Sequence, residues 1–421
     1  MSPTLAVVLE RRLVGQVART RAGALRLTYA DDARTYGRTP LSLSLPTDTP
    51  SIVGDRVLTY LKALLPDRET TLAAIARRTG ADPTDPLSLL AAIGKDCAGA
   101  VQLCTPDEVT DTLDRVGALV PVTDSDIEQR LAELRMSEDA SWTMRGEHWS
   151  LGGTQNKFAL REVGGRWFET QGARATSHIL KPGIHQLNAQ ALVEHLTMRA
   201  ADACGIDVAR TEYHEFTTEP AIVVTRFDRR DDGNDLVRLH QEDMCQALGV
   251  SEKYEQYGGP SAAQIIRLLR ESAASRRDAD ENVRKFVDGL IFNTVVAAPD
   301  AHARNYAVLL DGDRVRLAPL YDVATGLAYS APDNRVLSMS VGGEYRADRV
   351  GREQWMRFAD DNRLDPDSVL SRAREIADVV PGAMRVELAD VEAWDNTAKE
   401  LGSRLLPALD ARMVQVTQAL A

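Results

Sequence analysis

The chain has 421 residues, which is long enough for two or three domains. Its composition, with 44% hydrophobic and 27% charged residues, is that of a globular protein. The formal net charge of -12 argues against direct binding of nucleic acid, because such binding needs clustered lysine and arginine side chains. No apolar run approaches the roughly 20 residues of a membrane span, and charged residues at positions 10–12 interrupt any signal-peptide core. We therefore expect a cytoplasmic protein with no membrane contact.

The four cysteines are Cys97, Cys104, Cys204 and Cys245. They show neither the paired spacing of a metal site nor the pattern of a disulfide framework. We expect them to be buried free thiols in a reducing compartment.

The first part of the chain is predicted to contain short strands and then helices. Apolar residues and glycine punctuation predict strands over residues 5–9, 12–18 and 25–29. A helical period covers 55–80, and a short helix at 87–93, a strand at 100–104 and a charged helix at 123–136 follow. We place a boundary at residues 137–141, which gives a first unit of residues 1–138.

Beyond this boundary the predicted strands alternate with one helix over residues 188–205, and helices dominate after residue 226. We expect a second unit of residues 139–228 and a third of residues 229–421. The chain is thus predicted to be an α+β protein with a strand-rich front and a helical back.

The most informative segment is the run DAHARN at residues 300–305, which is followed by Asp322. A predicted helix over 282–297 ends just before Pro299, so this run should form a loop. Apolar runs at 306–310 and 315–320, joined by a turn at 311–312, predict a hairpin with residue 310 opposite residue 313. The hairpin would bring Asp322 back to a position opposite residue 301.

Asp300 and Asn305 have the spacing of a protein-kinase catalytic loop, in which the aspartate accepts the proton of the substrate hydroxyl and the asparagine binds Mg²⁺. Asp322 would be the later aspartate that holds the metal ions bridging the phosphates. Loop aspartate and asparagine side chains also commonly bond to their own backbone. A second chemistry fits as well, since Asp300, His302 and Asp322 could bind a divalent metal for hydrolysis. These residues alone leave the alternatives open.

Three further segments meet the other needs of a kinase, namely a phosphate loop, a lysine and a hinge for adenine. Gly152 and Gly153, between two predicted strands, let the backbone approach an anion closely. Lys181 ends a short apolar strand, and Glu194 on the following helix could orient it. The strand over 221–228 ends where the two halves of the chain meet, as a hinge would. Each segment also has an ordinary structural explanation, such as a hairpin turn or a surface lysine.

These segments, in this order, resemble the HipA-type toxin kinases over nearly the whole chain. The motifs that carry the resemblance are PLSLSLP at 40–46, LPD at 65–67, IGKD at 93–96, GAVQL at 99–103, SLGGTQNK at 150–157, HILK at 178–181, RFDRR at 226–230, HQEDMCQ at 240–246, GGP at 258–260, DAHARN at 300–305 and LAPLYD at 317–322.

The resemblance implies a two-lobed protein-kinase-like fold with a family-specific N-terminal subdomain. It also implies an ATP- and Mg²⁺-dependent protein serine/threonine kinase, the toxin of a toxin-antitoxin pair. The implied substrate is a protein of translation, with an aminoacyl-tRNA synthetase as the best-known target in the family. The implied partner is the DNA-binding antitoxin HipB, so that DNA would be reached only indirectly.

Carried over position by position, the resemblance makes Asp300 the general base and Asn305 and Asp322 the Mg²⁺ ligands. Ser150 matches the serine that the family autophosphorylates, and its modification ejects the phosphate loop. His302 becomes a loop residue with a positioning role. The implied ATP-binding residues are Gly152, Gly153, Thr154, Gln155, Asn156, Lys157, Lys181, Thr225, Arg226, Phe227, His302, Ala303, Arg304, Asn305, Tyr321, Asp322 and Val323.

Three positions depart from the family pattern. Ala301 stands where glycine is usual and mildly stiffens the catalytic loop, and Asn156 and Thr225 replace glutamates of the phosphate loop and the hinge. The hinge binds adenine mainly through backbone groups, so the change at Thr225 should be tolerated. Because the acids of the ATP site are retained, we expect an active kinase. The alternatives are a non-catalytic pseudokinase in a repressor complex and the metal-dependent hydrolase.

Overall fold

The computed structural model describes residues 3–34, 38–137, 140–144, 146–233, 235–331 and 335–421. Its first unit is an antiparallel sheet in the order β4-β3-β2-β1-β5 with helices packed around it. The strands are β1 (Leu5–Leu9), β2 (Arg12–Arg19), β3 (Leu25–Tyr29), β4 (Ser51–Val53) and β5 (Gln102–Cys104), and the helices are α1 (Asp55–Ala63), α2 (Glu69–Thr79), α3 (Pro86–Ile93) and α4 (Val109–Leu113). The predicted strands at 5–9, 12–18 and 25–29 are confirmed to within one residue, and the strand predicted at 100–104 begins two residues later.

A second antiparallel sheet follows, in the order β10-β11-β9-β7-β8-β6. Its strands are β6 (Leu119–Pro121), β7 (Phe158–Val163), β8 (Arg166–Thr170), β9 (His178–Lys181), β10 (Thr211–Phe216) and β11 (Glu219–Thr225), and its helices are α5 (Asp124–Met136) and α6 (Gln190–Ala203). The strand predicted before Gly152 was wrong, since Trp149 forms only an isolated bridge with Asp96.

Helices dominate the rest of the chain, as predicted, with small sheets of the orders β12-β13, β14-β15-β16 and β17-β18. The helices are α7 (Met244–Leu248), α8 (Ala262–Glu271), α9 (Arg276–Val295), α10 (Arg352–Asp361), α11 (Pro366–Glu392) and α12 (Asn396–Ala419). The strands are β12 (Arg229–Asp231), β13 (Leu236–Arg238), β14 (His240–Asp243), β15 (Ala307–Asp311), β16 (Arg314–Leu317), β17 (Val336–Val341) and β18 (Glu344–Arg346).

Apolar clusters fill the first unit, the space between α5 and the second sheet, and the helical part from α6 to α12. Ile127, Leu131 and Leu134 of α5 belong to the second cluster, and β6 pairs with β8. These two elements lie before residue 138, the predicted limit of the first unit, yet they pack with the second sheet. The limits of the three units stay a prediction, and residues 138 and 139 lie outside the described residues.

The hairpin that follows the candidate loop is formed by β15 and β16. Asp311 pairs with Arg314, so the turn is made by Gly312 and Asp313 rather than by residues 311 and 312 as predicted. Gly312 has a φ of 62°, the left-handed conformation that glycine adopts most readily and that a two-residue hairpin turn needs. The one-residue shift of the turn leaves Asp322 at the same open end of the hairpin as residues 300–305.

In the described part of the chain, no helix is long and apolar enough to cross a membrane. Cys97, Cys104, Cys204 and Cys245 are all buried and free, as predicted.

Candidate active site

A cavity of about 310 Å³ lies between the second sheet and the helical part, and most of the predicted site residues line it. The predicted residues on its wall are Gly152, Gly153, Thr154, Gln155, Lys157, Lys181, Thr225, Arg226, Phe227, Asp300, His302, Arg304, Asn305, Tyr321, Asp322 and Val323. They come from five separate stretches of the chain, so the fold assembles in one place what the sequence spreads over more than 170 residues.

The phosphate loop needs its two glycines for steric reasons. A Cβ atom at residue 152 would lie 2.5 Å from the carbonyl oxygen of Ala63, at the end of α1. Gly153 has a φ of 103°, which side-chain-bearing residues rarely adopt. Its carbonyl oxygen accepts a hydrogen bond of 2.9 Å from the backbone N–H of Asp67. The first unit therefore holds this loop against the cavity.

Lys157 closes the phosphate loop from its C-terminal side. Its Nζ donates to the carbonyl oxygen of Gly152 at 3.0 Å and lies 4.9 Å from the centre of the Trp142 ring. Burial lowers the pKa of Lys157 to about 8, and the positive charge of Lys181 acts in the same direction. An anionic ligand would raise this pKa again, because it would favour the charged form of Lys157.

Three predicted residues do not line the cavity, namely Asn156, Ala303 and Ser150. The Asn156 side chain faces α5, where Nδ2 donates to the carbonyl oxygens of Leu134 and Ser137 and Oδ1 accepts from Trp142 Nε1 at 3.0 Å. Its predicted contact with ATP is thus corrected, since these bonds give the amide a structural role. Ala303 is fully buried in the helical part.

Ser150 also lies outside the cavity wall. Its side chain is buried, and Oγ donates to the carbonyl oxygen of Leu64 at 2.6 Å. A phosphate on this oxygen would replace a buried hydrogen bond by about two negative charges, so the segment must leave its place before or after the modification.

Lys181 is the centre of an ion triad in which Lys181 and Glu194 are buried and Asp322 is half-buried. Its Nζ lies 2.7 Å from Glu194 Oε1 on α6 and 2.5 Å from Asp322 Oδ1. Burial alone would raise the pKa of Asp322, but the ammonium group of Lys181 outweighs it and holds that pKa well below the usual range. Burial raises the pKa of Glu194, and the charge of Lys181 opposes this effect. The predicted pairing of Lys181 with Glu194 is therefore present.

A chain of amides connects this triad to the phosphate loop. Gln190 Nε2 donates to Glu194 Oε2 at 3.5 Å, and Gln155 Nε2 donates to Gln190 Oε1 at 2.9 Å. Gln190 and Glu194 are four residues apart on α6, so they share one face of the helix. The spacing of four residues from Glu194 could have predicted Gln190 as a site residue, although Gln190 was not among the predicted residues.

The catalytic loop begins after α9 and is fixed by Asn305. Its Nδ2 donates to the carbonyl oxygen of Asp300 at 2.7 Å and to that of Asp322 at 3.2 Å. The same amide group thus bonds to the backbone of both aspartates. The amide oxygen of Asn305, Oδ1, is the side-chain atom that can face a cation. Asp322 has a φ of 59°, an uncommon conformation that is typical of functional positions when the surrounding structure enforces it.

A Mg²⁺ ion fits Asn305 and Asp322, because an amide oxygen and an ionised carboxylate beside the cavity are its usual protein ligands. The alternative site of Asp300, His302 and Asp322 is not supported, since no group of three His, Cys, Asp or Glu side chains among the described residues is arranged to hold a metal. His302 is buried, and this burial lowers its pKa. Its Nε2 lies 3.9 Å from Asp300 Oδ1, which is beyond hydrogen-bond distance.

The hinge segment passes the cavity at residues 225–227. Thr225 ends β11, and the rings of Phe227 and Tyr321 lie 5.4 Å apart beside the cavity. The side chain of Arg226 points away into a buried cluster, where it donates to Asp228 at 2.9 Å and contacts Asp96 at 3.5 Å. Arg226 can therefore serve a nucleotide only through its backbone.

Asp67 of the first unit was not predicted as a site residue. Its carboxylate accepts from Arg304 Nη1 at 2.6 Å and from Lys253 Nζ at 3.1 Å. Burial would raise the pKa of Asp67, but Arg304 and then Lys253 outweigh it and lower that pKa. No local pattern signals this pairing, because the partners lie 186 and 237 positions away in the chain.

Together the phosphate loop, the lysine with its two acids and the loop of Asp300 and Asn305 face one cleft between a sheet and a helical lobe. This is the arrangement of a two-lobed protein kinase.

Comparison with known proteins identifies the family. Residues 5–104 match the family model of the HipA N-terminal domain, and residues 149–384 match that of the HipA-like C-terminal domain. The Sinorhizobium fredii protein Y4mE, whose name assigns it provisionally to the kinases, is 32% identical over 398 residues that cover 90% of both chains. The serine/threonine-protein kinase toxin HipA of Shewanella oneidensis is 26% identical over 402 residues, or 90% of this chain and 88% of that protein. The chain belongs to the HipA family of toxin kinases.

The fold is shared with a solved structure of the family. HipA from the Shewanella oneidensis MR-1 complex of HipA, HipB and operator DNA superposes with a TM-score of 0.83 at 24% identity, and the match covers 98% of this chain and 97% of that one. The predicted α+β, two-lobed kinase-like fold is therefore confirmed.

Proposed function

We propose that this protein is an ATP- and Mg²⁺-dependent protein serine/threonine kinase and the toxin component of a HipBA-type toxin-antitoxin module. One observation carries the proposal: Lys181 is held between Glu194 and Asp322 in the same cavity that presents Asn305 and Asp300. A pseudokinase has no need of this complete set, and a hydrolase has no use for Lys181 or the glycine loop.

The residues suit a direct transfer of the γ-phosphoryl group. The oxygen of the substrate hydroxyl attacks the γ-phosphorus, Asp300 accepts the proton of that hydroxyl, and ADP leaves. Lys181 and the amides of the phosphate loop bind the phosphates, and the backbone of residues 225–227 receives adenine. Asn305 and Asp322 would hold Mg²⁺, which neutralises charge on the phosphates when it is bound. The Asp300 carboxylate is 65% exposed, so a protein substrate can reach it.

The partners follow from the family. The related structure contains HipA with HipB and operator DNA, and we propose that a HipB-like antitoxin binds this protein as well. A net charge of -12 favours contact with DNA through that partner rather than directly. We further propose a translation protein, with an aminoacyl-tRNA synthetase as the first candidate, as the substrate and Ser150 as the autophosphorylated residue.

The Asp300→Asn substitution tests the kinase proposal. We expect phosphate incorporation from labelled ATP to fall by about 100-fold or more, because the proton acceptor is lost, while the thermal midpoint is unchanged. Asp313→Asn, at the exposed hairpin turn, is the matched control and should keep wild-type activity. Calorimetry with a non-hydrolysable ATP analogue should show binding that is tighter with Mg²⁺. Incorporation at the wild-type rate by the Asp300→Asn variant, or the absence of nucleotide binding, would reject the proposal.

A further inference from the structure

The segment around Tyr254 lies against the catalytic loop, although sequence reasoning gave it no role. The Tyr254 hydroxyl donates to Asp300 Oδ1 at 2.7 Å. The backbone carbonyl of Lys253 accepts a hydrogen bond of 3.2 Å from the N–H of Ala303. The segment is thus bonded to the loop at two points, of which one is the predicted base.

The Tyr254 ring has a fixed place. The Tyr254 ring packs edge-to-face against the His302 ring, with 5.1 Å between the two ring centres. The Lys253 ammonium lies 5.4 Å from the centre of the Tyr254 ring. The backbone N–H of Tyr254 donates to Glu252 Oε1 at 3.0 Å. These contacts hold the hydroxyl in position without help from Asp300, so the hydroxyl can serve as a fixed anchor for the carboxylate.

Asp300 needs such an anchor. Its side chain is 65% exposed, and an exposed carboxylate rotates freely unless a partner restrains it. Loss of the correct geometry at a proton acceptor is costly, because the transfer requires a short and aligned contact. The neighbouring Nε2 of His302 lies 3.9 Å from Oδ1, which is beyond hydrogen-bond distance.

We propose that Tyr254 is a positioning residue that orients the carboxylate of Asp300 for proton transfer from the substrate hydroxyl. The inference rests on the proposed kinase function. Tyr254 binds one oxygen, Oδ1, and the other oxygen of the carboxylate stays available to the substrate. Burial raises the pKa of the Tyr254 hydroxyl, and the charge of Asp300 adds to this effect, so the hydroxyl keeps its proton and acts as a donor.

Tyr254→Phe is the test, since it removes the hydroxyl and keeps the ring on His302. We expect kcat for phosphate transfer to fall about tenfold, as for the loss of one hydrogen bond to a charged group, with KM for ATP and the thermal midpoint unchanged. The matched control is Tyr257→Phe, because Tyr257 lies in the same segment, is 74% exposed and touches Tyr254 only at its ring edge. A merely structural tyrosine would change the thermal midpoint or both kinetic constants instead.

The outcomes separate this inference from the kinase proposal. If the wild-type protein transfers no phosphate, the proposed function fails. If the wild type is active and Tyr254→Phe has the same kcat, the positioning role is wrong. A rise in kcat would also overturn it, because the hydroxyl would then be masking the base. Should Tyr254→Phe lower the thermal midpoint, kcat is measured well below that midpoint, where the variant is folded, and a wild-type kcat there would reject the proposal.

Discussion

Glu242 on β14 is an unusual residue because its carboxyl group is buried with few partners. Oε1 accepts from the backbone N–H of Leu43 at 2.8 Å, whereas Oε2 is buried and has no hydrogen-bond partner among the described residues. Burial, with a smaller contribution from the charge of nearby Asp243, raises the pKa of Glu242 to about 8. Tyr29 and Tyr60 face the same carboxyl group, and its charge contributes to their raised pKa values. Glu242 therefore folds in its neutral form at neutral pH.

This pKa predicts a pH dependence of stability. Below about pH 4.5 the Glu242 carboxyl group is neutral in the folded and in the unfolded state, so its burial has no ionisation cost. Between pH 4.5 and 8 Glu242 ionises in the unfolded state but not in the folded state. The free energy of unfolding therefore falls as the pH rises through this range. Glu242→Gln should remove this loss and gain on the order of a few kcal/mol at pH 8 relative to pH 4.5. Urea unfolding at both pH values measures it, with the exposed Glu400→Gln as control. Equal pH dependence in wild type and Glu242→Gln would contradict the prediction.

At the scale of elements, the phosphate loop is stabilised from outside itself. Ser150 bonds to Leu64, Gly153 to Asp67, and Gln155 to Gln190. None of these bonds involves a neighbour in sequence, so the first unit and α6 both contribute to the inward position of the loop.

Autophosphorylation should break this support. After incubation with Mg-ATP, peptide mapping by mass spectrometry is expected to find phosphate on Ser150, and limited proteolysis should then cut within residues 151–157, because the modified side chain no longer fits beside Leu64. Ser150→Ala should gain neither the phosphate nor the cleavage. Phosphate found only on other residues would show that the assignment of Ser150 is wrong.

Much of the site was predictable from the sequence, for a physical reason. Helical and strand periods gave most elements to within a few residues, and the acids at 300 and 322 stand in loops where no core packing explains them. The turn at Gly312 was misplaced by one residue, since Asp-Gly and Gly-Asp both suit tight turns. Asn156 was assigned to ATP because a loop motif does not say which side each side chain faces. Asp67 and Tyr254 act through partners far away in sequence, which no local pattern encodes.

On the scale of the whole molecule, the first unit supplies part of the active site. Asp67 carries the contact, since its backbone binds Gly153 and its carboxylate binds Arg304 of the catalytic loop. Both loops that are proposed to contact ATP are thus bonded to the same residue of the first unit.

Asp67→Asn tests this link. The substitution removes the negative charge of residue 67, so Arg304 and Lys253 lose their common ionic partner. We expect kcat to fall about tenfold or more while the protein stays folded. Asp48→Asn is the control, because Asp48 is an exposed acid of the same unit. Kinetics of phosphate transfer and thermal unfolding are the measurements. A normal kcat in Asp67→Asn would mean that the first unit does not support the catalytic loop through this residue.

The buried charges around Asp96 connect the same unit to the hinge. Asp96 lies 2.9 Å from Arg229 and 2.8 Å from Arg238, and Arg226 binds Asp228 beside them. Within the described part of the chain, two aspartates balance these three arginines, and one of the two belongs to the N-terminal family region. A chain shortened to the C-terminal family region would lose Asp96, so that Arg238 would lose this carboxylate partner while Arg226 and Arg229 would keep Asp228. These ion pairs tie the N-terminal family region to the hinge segment, and we therefore expect the two family regions to unfold together.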